Sequence, residues 1–213
     1  MSRPQQSPPQ DREPEETSSL TPMGVKMASP PAEENPWIET LKTLGLSLVL
    51  AFGIRTFVAE ARYIPSGSMI PTLQINDRLI VDKISHRFQD LQRGDIVVFA
   101  PTDHLKQQNF RDAFIKRIVG LPGETVEIRD GMLYVDDRLL DETYTNEPAD
   151  YEYGPIVIPE DHYFVLGDNR NNSYDSHYWG FVPADRIIGR AVVRFWPVNR
   201  LGELDDRPLY PEE

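Results

Sequence analysis

The chain has 213 residues, no cysteine, and 34 acidic against 22 basic side chains, a net charge of −12. That length fits one domain, or one domain with an appendage. The acidic balance excludes general nucleic-acid binding, which needs a basic face to displace counterions from phosphates; the lack of cysteine removes disulfides, thiolate metal sites and thiol nucleophiles together.

Residues 1–36 hold eight of the 19 prolines, with Ser, Gln and Glu around them. Such a segment cannot bury enough surface to offset chain entropy, and it reads as a disordered tail. Its three basic residues, Arg3, Arg12 and Lys26, are outnumbered by six acids, unlike the basic start of a cleaved secretory signal. From Trp37 to Ala59 the sequence turns apolar. As one helix of 23 residues it would reach about 35 Å, enough to cross a hydrocarbon layer. Glu39, Lys42 and Arg55 would then lie near the ends, where long side chains reach the headgroups. A single-pass anchor in a lipid bilayer is therefore expected over 37–60. A buried or interfacial helix is the competing reading, because the uncharged centre runs only from Thr43 to Ile54. The charge on either flank does not set an orientation.

From residue 61 the pattern becomes short runs rich in Val, Ile, Phe and Tyr, broken by Gly, Pro, Asn and Asp. Strands are predicted at 78–81, 95–100, 114–119, 125–129, 132–135, 162–166 and 187–196. Asp130-Gly131 between two of these runs signals a hairpin. The expectation is a mostly β domain over 61–204 with its own core, closed by a C-terminal tail over 205–213.

Chemistry has to come from the irregular stretches. Pro65-Ser66-Gly67-Ser68-Met69-Ile70-Pro71 sets two serines on a glycine-containing turn between two prolines, a rigid platform for a nucleophile, although plain loops also use such turns. A serine hydroxyl stays inert until a base accepts its proton. The four histidines, His86, His104, His162 and His177, lie in no nucleophile-elbow or triad context and read as solvated surface residues. Of the five lysines only Lys116 sits inside a predicted β run, where buried neighbours could desolvate its ammonium and make it a base. Periodicity alone favours the plainer alternative, an outward-facing strand lysine.

Four boxes in order change that balance: P-S-G-S-M-I-P-T at 65–72, G-D-I-V-V-F at 94–99, K-R-I-V-G-L-P-G-E at 116–124 and G-D-N-R-N-N-S-Y-D-S-H-Y-W-G-F-V-P at 167–183. Together with the apolar segment ahead of them they strongly resemble bacterial type I signal peptidases over residues 37–196. The resemblance implies a β domain of coiled antiparallel sheets behind one transmembrane helix, and a membrane-anchored serine endopeptidase that removes signal peptides from exported preproteins. It implies Ser68 as nucleophile, Lys116 as general base, Ser66 as a second oxyanion donor beside the Ser68 N–H, and Ser173 as the hydroxyl that orients the lysine. Arg117 and Asp175 correspond to a supporting ion pair, and Gly167 and Asp168 open the last box. Ile64, Met69, Leu73, Leu79, Phe114 and Ile115 correspond to a shallow cleft for small side chains. Asn171 departs from the aspartate of many relatives, outside the catalytic positions. The implied membrane is the bacterial plasma membrane or another internal membrane, with the β domain on the extracytoplasmic side. The oligomeric state stays open.

Ser68 follows the anchor by about nine residues, at most about 30 Å of extended chain, so the nucleophile is expected close to the membrane surface. A substrate could add as a strand to a sheet edge in the cleft, leaving specificity to pocket size. The remaining motifs read more plainly: the sequon at Asn171 as coincidence, and the clusters Asp136-Asp137 and Glu203, Asp205, Asp206 as solvated turns without calcium-loop spacing. No metal or nucleotide cofactor is indicated. Two other classes compete. A self-cleaving repressor-type Ser/Lys protease normally carries an Ala-Gly cleavage bond and a DNA-binding head, and this sequence has no Ala-Gly dipeptide. A catalytically dead, membrane-tethered peptide-binding domain would have no reason to keep Ser66, Ser68, Lys116 and Ser173 together.

Overall fold

The structure, a computed structural model, describes residues 35–204. The expected tails over 1–36 and 205–213 lie outside the described residues, except for Asn35 and Pro36. The described residues divide into two units at the boundary between Leu41 and Lys42. Helix α1, Pro36–Gly53, opens on a proline, whose fixed φ suits the first helical position, and the Asn35 side chain accepts the Trp37 N–H at 3.1 Å. A wider π turn, Ile54–Val58, extends it, and the 23 residues Pro36–Val58 are long and apolar enough to cross a membrane. None of the α1 side chains is buried by protein.

Among the described residues twelve strands follow: β1 (Ala59–Tyr63), β2 (Arg78–Asp82), β3 (Ile96–Phe99), β4 (Phe114–Gly120), β5 (Thr125–Arg129), β6 (Met132–Val135), β7 (Arg138–Leu139), β8 (Tyr153–Val157), β9 (His162–Leu166), β10 (Val182–Pro183), β11 (Ile187–Trp196) and β12 (Gly202–Glu203). Two short helices interrupt them, α2 (Asp103–Gln107) and α3 (Ser176–Trp179). The larger sheet runs β1-β2-β11-β3-β4-β9-β10 with β12 paired to β11, and the smaller runs β7-β6-β5-β8. Every pairing is antiparallel, as expected for a mostly β domain. Register shifts along β11, at Ala191/Val193 and Arg194/Trp196 against β2, bend the large sheet, since an extra residue on one strand raises its local twist.

All seven predicted strands are present. Ala59 and Glu60, expected at the end of the anchor, instead begin β1, which pairs with β2 in the register Ala59↔Asp82. Ala and Glu are weak strand formers, so the partner strand decides here. Lys83, just after β2, donates its backbone N–H to Val58 O at 2.9 Å and its ammonium to Thr56 O at 2.8 Å, taking up carbonyls at the end of the π turn. Asp130 and Gly131 both have positive φ, 51° and 75°, the conformation a two-residue hairpin turn requires. Asp136 and Asp137 do the same at 51° and 60° between β6 and β7, so this acidic pair is the turn it was expected to be.

Three apolar clusters hold the sheets. Val126, Ile128, Leu133 and Val135 of the small sheet pack with Val119 and Phe164 of the large one. Val97, Phe99, Ile118 and Val165 pack around Trp179 of α3. Ile64, Met69, Leu73 and Leu79 pack with Ile96 and Ala191 beneath the serine turn. Strand β4 runs between the paired β3 and β9 and is buried from Lys116 to Gly120, which places the lysine in an apolar environment.

Candidate active site

Lys116 lies on β4 opposite Val97 of β3 and is 4% exposed, so the outward-facing alternative does not hold. Its Nζ donates to Ser68 Oγ at 2.8 Å and to the Ile115 carbonyl at 2.9 Å. Burial drives the lysine down from its ordinary 10.5 to about 8, with the Asp175 and Asp168 carboxylates pulling the other way. Ser68 is 9% exposed, on the turn between β1 and β2. Its main chain meets the last box directly. A Cβ on Gly167 would stand 2.2 Å from Ser173 Oγ and 2.4 Å from Ser68 O, so only glycine allows this approach.

The supporting pair differs from the expectation. Arg117 pairs with Asp168 and not with Asp175: Nε and Nη2 reach the two carboxylate oxygens at 2.8 Å each, both side chains fully buried. Arg117 Nη1 also donates to Gly94 O at 2.9 Å, Thr72 Oγ1 donates to Asp168 Oδ2 at 2.6 Å, and the guanidinium lies 3.9 Å from the Tyr144 ring centre. Asp175 is committed elsewhere. It accepts the Gly167 N–H at 2.9 Å, caps α3 through the His177 N–H, and bonds His177 Nδ1 at 2.7 Å. His177 is thus no solvated surface residue, and its ring stacks on Tyr151 at 3.9 Å.

Ser173 also departs from the expectation. Its Oγ is buried and has no hydrogen-bond partner among the described residues, while the lysine bonds go to Ser68 and Ile115.

A cleft of about 550 Å³ opens over Ser66, Gly67, Ser68 and Lys116, walled by Phe110, Phe114, Ile115 and Tyr174. Phe114 and Ile115 line it as expected. Ile64, Met69, Leu73 and Leu79 do not; they are fully buried in the cluster under the turn, where they support the cleft floor. Ser66 is exposed at the cleft. Among the described residues no cluster of His, Cys, Asp or Glu suits a metal ion.

Sequence reasoning missed two groups. Asn169 donates its backbone N–H to Ser68 O at 3.1 Å and its side-chain Nδ2 to Gly67 O at 3.0 Å. Arg170 forms a bidentate pair with Glu142 at 2.5 and 2.6 Å and donates to Gly167 O at 3.2 Å, tying the last box to the loop before β8. Glu142 also accepts the Tyr144 hydroxyl at 2.5 Å, and burial with that carboxylate alongside holds the phenol well above its ordinary range, hence neutral. Nothing in single-residue spacing signals bonds to main-chain acceptors so distant in sequence.

The sequence profile of the family described as "Signal peptidase, peptidase S26" matches residues 37–196. A probable signal peptidase I-2 of Synechocystis sp. is 64% identical over 181 residues, covering 85% of this chain and 82% of its own length. A signal peptidase I of Leptolyngbya laminosa is 61% identical over 192 residues, 89% of this chain and 95% of that protein. A crystal structure of a signal peptidase I from Enterococcus faecalis is 35% identical, covers 48% of this chain and 97% of its own, and superposes with a TM-score of 0.40. The coverage and identity of these matches make the chain a member of the signal peptidase family, peptidase S26.

Proposed function

We propose that this chain is a membrane-anchored serine endopeptidase that removes signal peptides from exported preproteins, with Ser68 as nucleophile and Lys116 as its base. The observation that carries the reading is the 2.8 Å contact between Lys116 Nζ and Ser68 Oγ in a buried setting that lowers the lysine to about 8. Once neutral, the amine keeps one N–H on Ile115 O, which turns its lone pair toward the serine hydroxyl. It takes the Ser68 proton as Oγ attacks the scissile carbonyl, then returns a proton to the leaving amine. Water hydrolyses the acyl-serine by the same route in reverse. The Ser68 N–H and the Ser66 hydroxyl stabilise the oxyanion.

Helix α1 with its π turn serves as the anchor in the bilayer, and the β domain works on the extracytoplasmic side of the plasma membrane or another internal membrane. The cleft lined by Phe114 and Ile115, over a floor that is already fully packed, supports a preference for small side chains. Detergent-solubilised enzyme incubated with one preprotein, wild type beside Ser68→Ala, tests the reading through the sequence of the new N-terminus. Cleavage after a small residue by wild type alone supports it. Equal cleavage by Ser68→Ala overturns it.

A further inference from the structure

We infer that Asn169 is a positioning residue for the oxyanion site: its side chain locks the Gly67–Ser68 peptide so that the Ser68 N–H faces the cleft. The inference rests on the proposed role of that N–H. In a trans peptide the C=O and the N–H point in opposite directions, so whatever holds the carbonyl also aims the amide. This peptide needs holding. Gly67 carries no side chain, and the backbone on that side can adopt conformations closed to other residues, including those that turn the peptide over. Turning it would put the Gly67 carbonyl where the developing oxyanion has to bind, and the donor would be lost.

Two donors oppose this at Gly67 O: the Ile70 N–H, inside the turn, at 3.2 Å, and Asn169, which adds a side-chain anchor from 102 residues away in sequence. Its Nδ2 donates to Gly67 O at 3.0 Å, and its own main-chain N–H donates to Ser68 O at 3.1 Å. A carbonyl oxygen can only accept, so the nitrogen end of the amide must face Gly67 O, and the Ser68 N–H must point away from Asn169. A hydrogen bond accepted at the carbonyl also polarises the peptide and strengthens the donor at its other end. Asn169 is itself rigidly held. The residue before it, Asp168, is locked to Arg117, the residue after it, Arg170, is locked to Glu142, and the Asn172 N–H closes a turn onto Asn169 O at 3.0 Å. No hydrogen bond joins Asn169 to Ser68 Oγ or Lys116 Nζ, so its influence falls on the oxyanion and not on the base.

The test compares Asn169→Ala and Asn169→Asp with wild type and with Ser68→Ala, all full-length in detergent, on one preprotein. Both Asn169 variants should lose about 10- to 100-fold in kcat with KM within about threefold, a loss that a weakened oxyanion donor accounts for. Asn169→Asp keeps the shape but presents an acceptor to an acceptor, and should be at least as impaired as Asn169→Ala. The pH at which kcat/KM levels off should stay at its wild-type position. Affinity for a peptide aldehyde that forms a tetrahedral adduct with Ser68 should fall in step with kcat/KM. The inference is overturned if either variant turns over within about twofold of wild type, if the loss lies wholly in KM, if the pH profile moves, or if both variants fail to fold. Cleavage by Ser68→Ala would instead sink the underlying assignment of the nucleophile, so the two failures are distinguishable.

Discussion

Replacing Lys116 by methionine should abolish cleavage and at the same time stabilise the protein at neutral pH. The unfolded chain binds the lysine proton with the ordinary value of 10.5, and the folded chain with about 8. Below pH 8 folding therefore carries the whole cost of that difference, about 3 kcal/mol. The cost shrinks between pH 8 and 10.5 and is absent above. Methionine removes it but also forfeits the bonds to Ser68 Oγ and Ile115 O, at about 1 kcal/mol each. The net expectation is that Lys116→Met is about 1 kcal/mol more stable than wild type at pH 7, with the sign reversed by about pH 10.5. Denaturant unfolding in detergent, followed by the fluorescence of the buried Trp179, measures this at both pH values. The same lysine sets the rate. About one enzyme in ten carries the neutral amine at pH 7, so kcat/KM should climb about tenfold per pH unit below 8 and then level off. A variant less stable than wild type at pH 7, together with a rate still climbing at pH 10, would refute the reasoning.

Ser66→Ala should fold and bind substrate normally while kcat falls about 10²- to 10³-fold, and Ser66→Thr should retain more activity; steady-state kinetics decides. Asp168→Ala strands the fully buried Arg117 guanidinium and should lower unfolding stability by about 3 to 5 kcal/mol in denaturant titration, more than any change at the exposed Asn171. A preprotein with Phe placed just before the cut should go uncleaved in the same gel assay that shows rapid processing with Ala there, because the lining residue Ile115 is backed by the packed cluster of Met69, Leu73 and Leu79 and cannot yield.

The sheet was legible in the sequence where β-branched and aromatic runs were long enough to carry their own signal, as from Ile187 to Trp196 or Thr125 to Arg129. It was illegible where a partner strand does the deciding. β1 reads Ala-Glu-Ala-Arg-Tyr, β8 contains Gly154-Pro155, and β7, β10 and β12 are two residues long. At the site, periodicity pointed Lys116 outward, and only its resemblance to a family box placed it beside a serine 48 residues away. That resemblance names residue types at positions but not their partners. Arg117 could have chosen either of two aspartates, and the geometry of β4 against the start of the last box gives it Asp168. Likewise four of the six apolar cleft positions turn out to be its foundation. Hydrogen bonds to main-chain carbonyls, such as those of Asn169 and of Lys116 to Ile115 O, leave no pattern in side-chain spacing.

The measurement that bears most directly on the dyad sets Lys116→Arg beside His177→Ala in the preprotein assay. Guanidinium keeps the positive charge but cannot give up its proton in this pH range, so Lys116→Arg should be inactive at every pH from 6 to about 10. His177 bonds Asp175 and has no hydrogen bond to Ser68, so His177→Ala should keep cleaving at the same site. Normal cleavage by Lys116→Arg with a dead His177→Ala would replace the lysine by a histidine base and contradict the account.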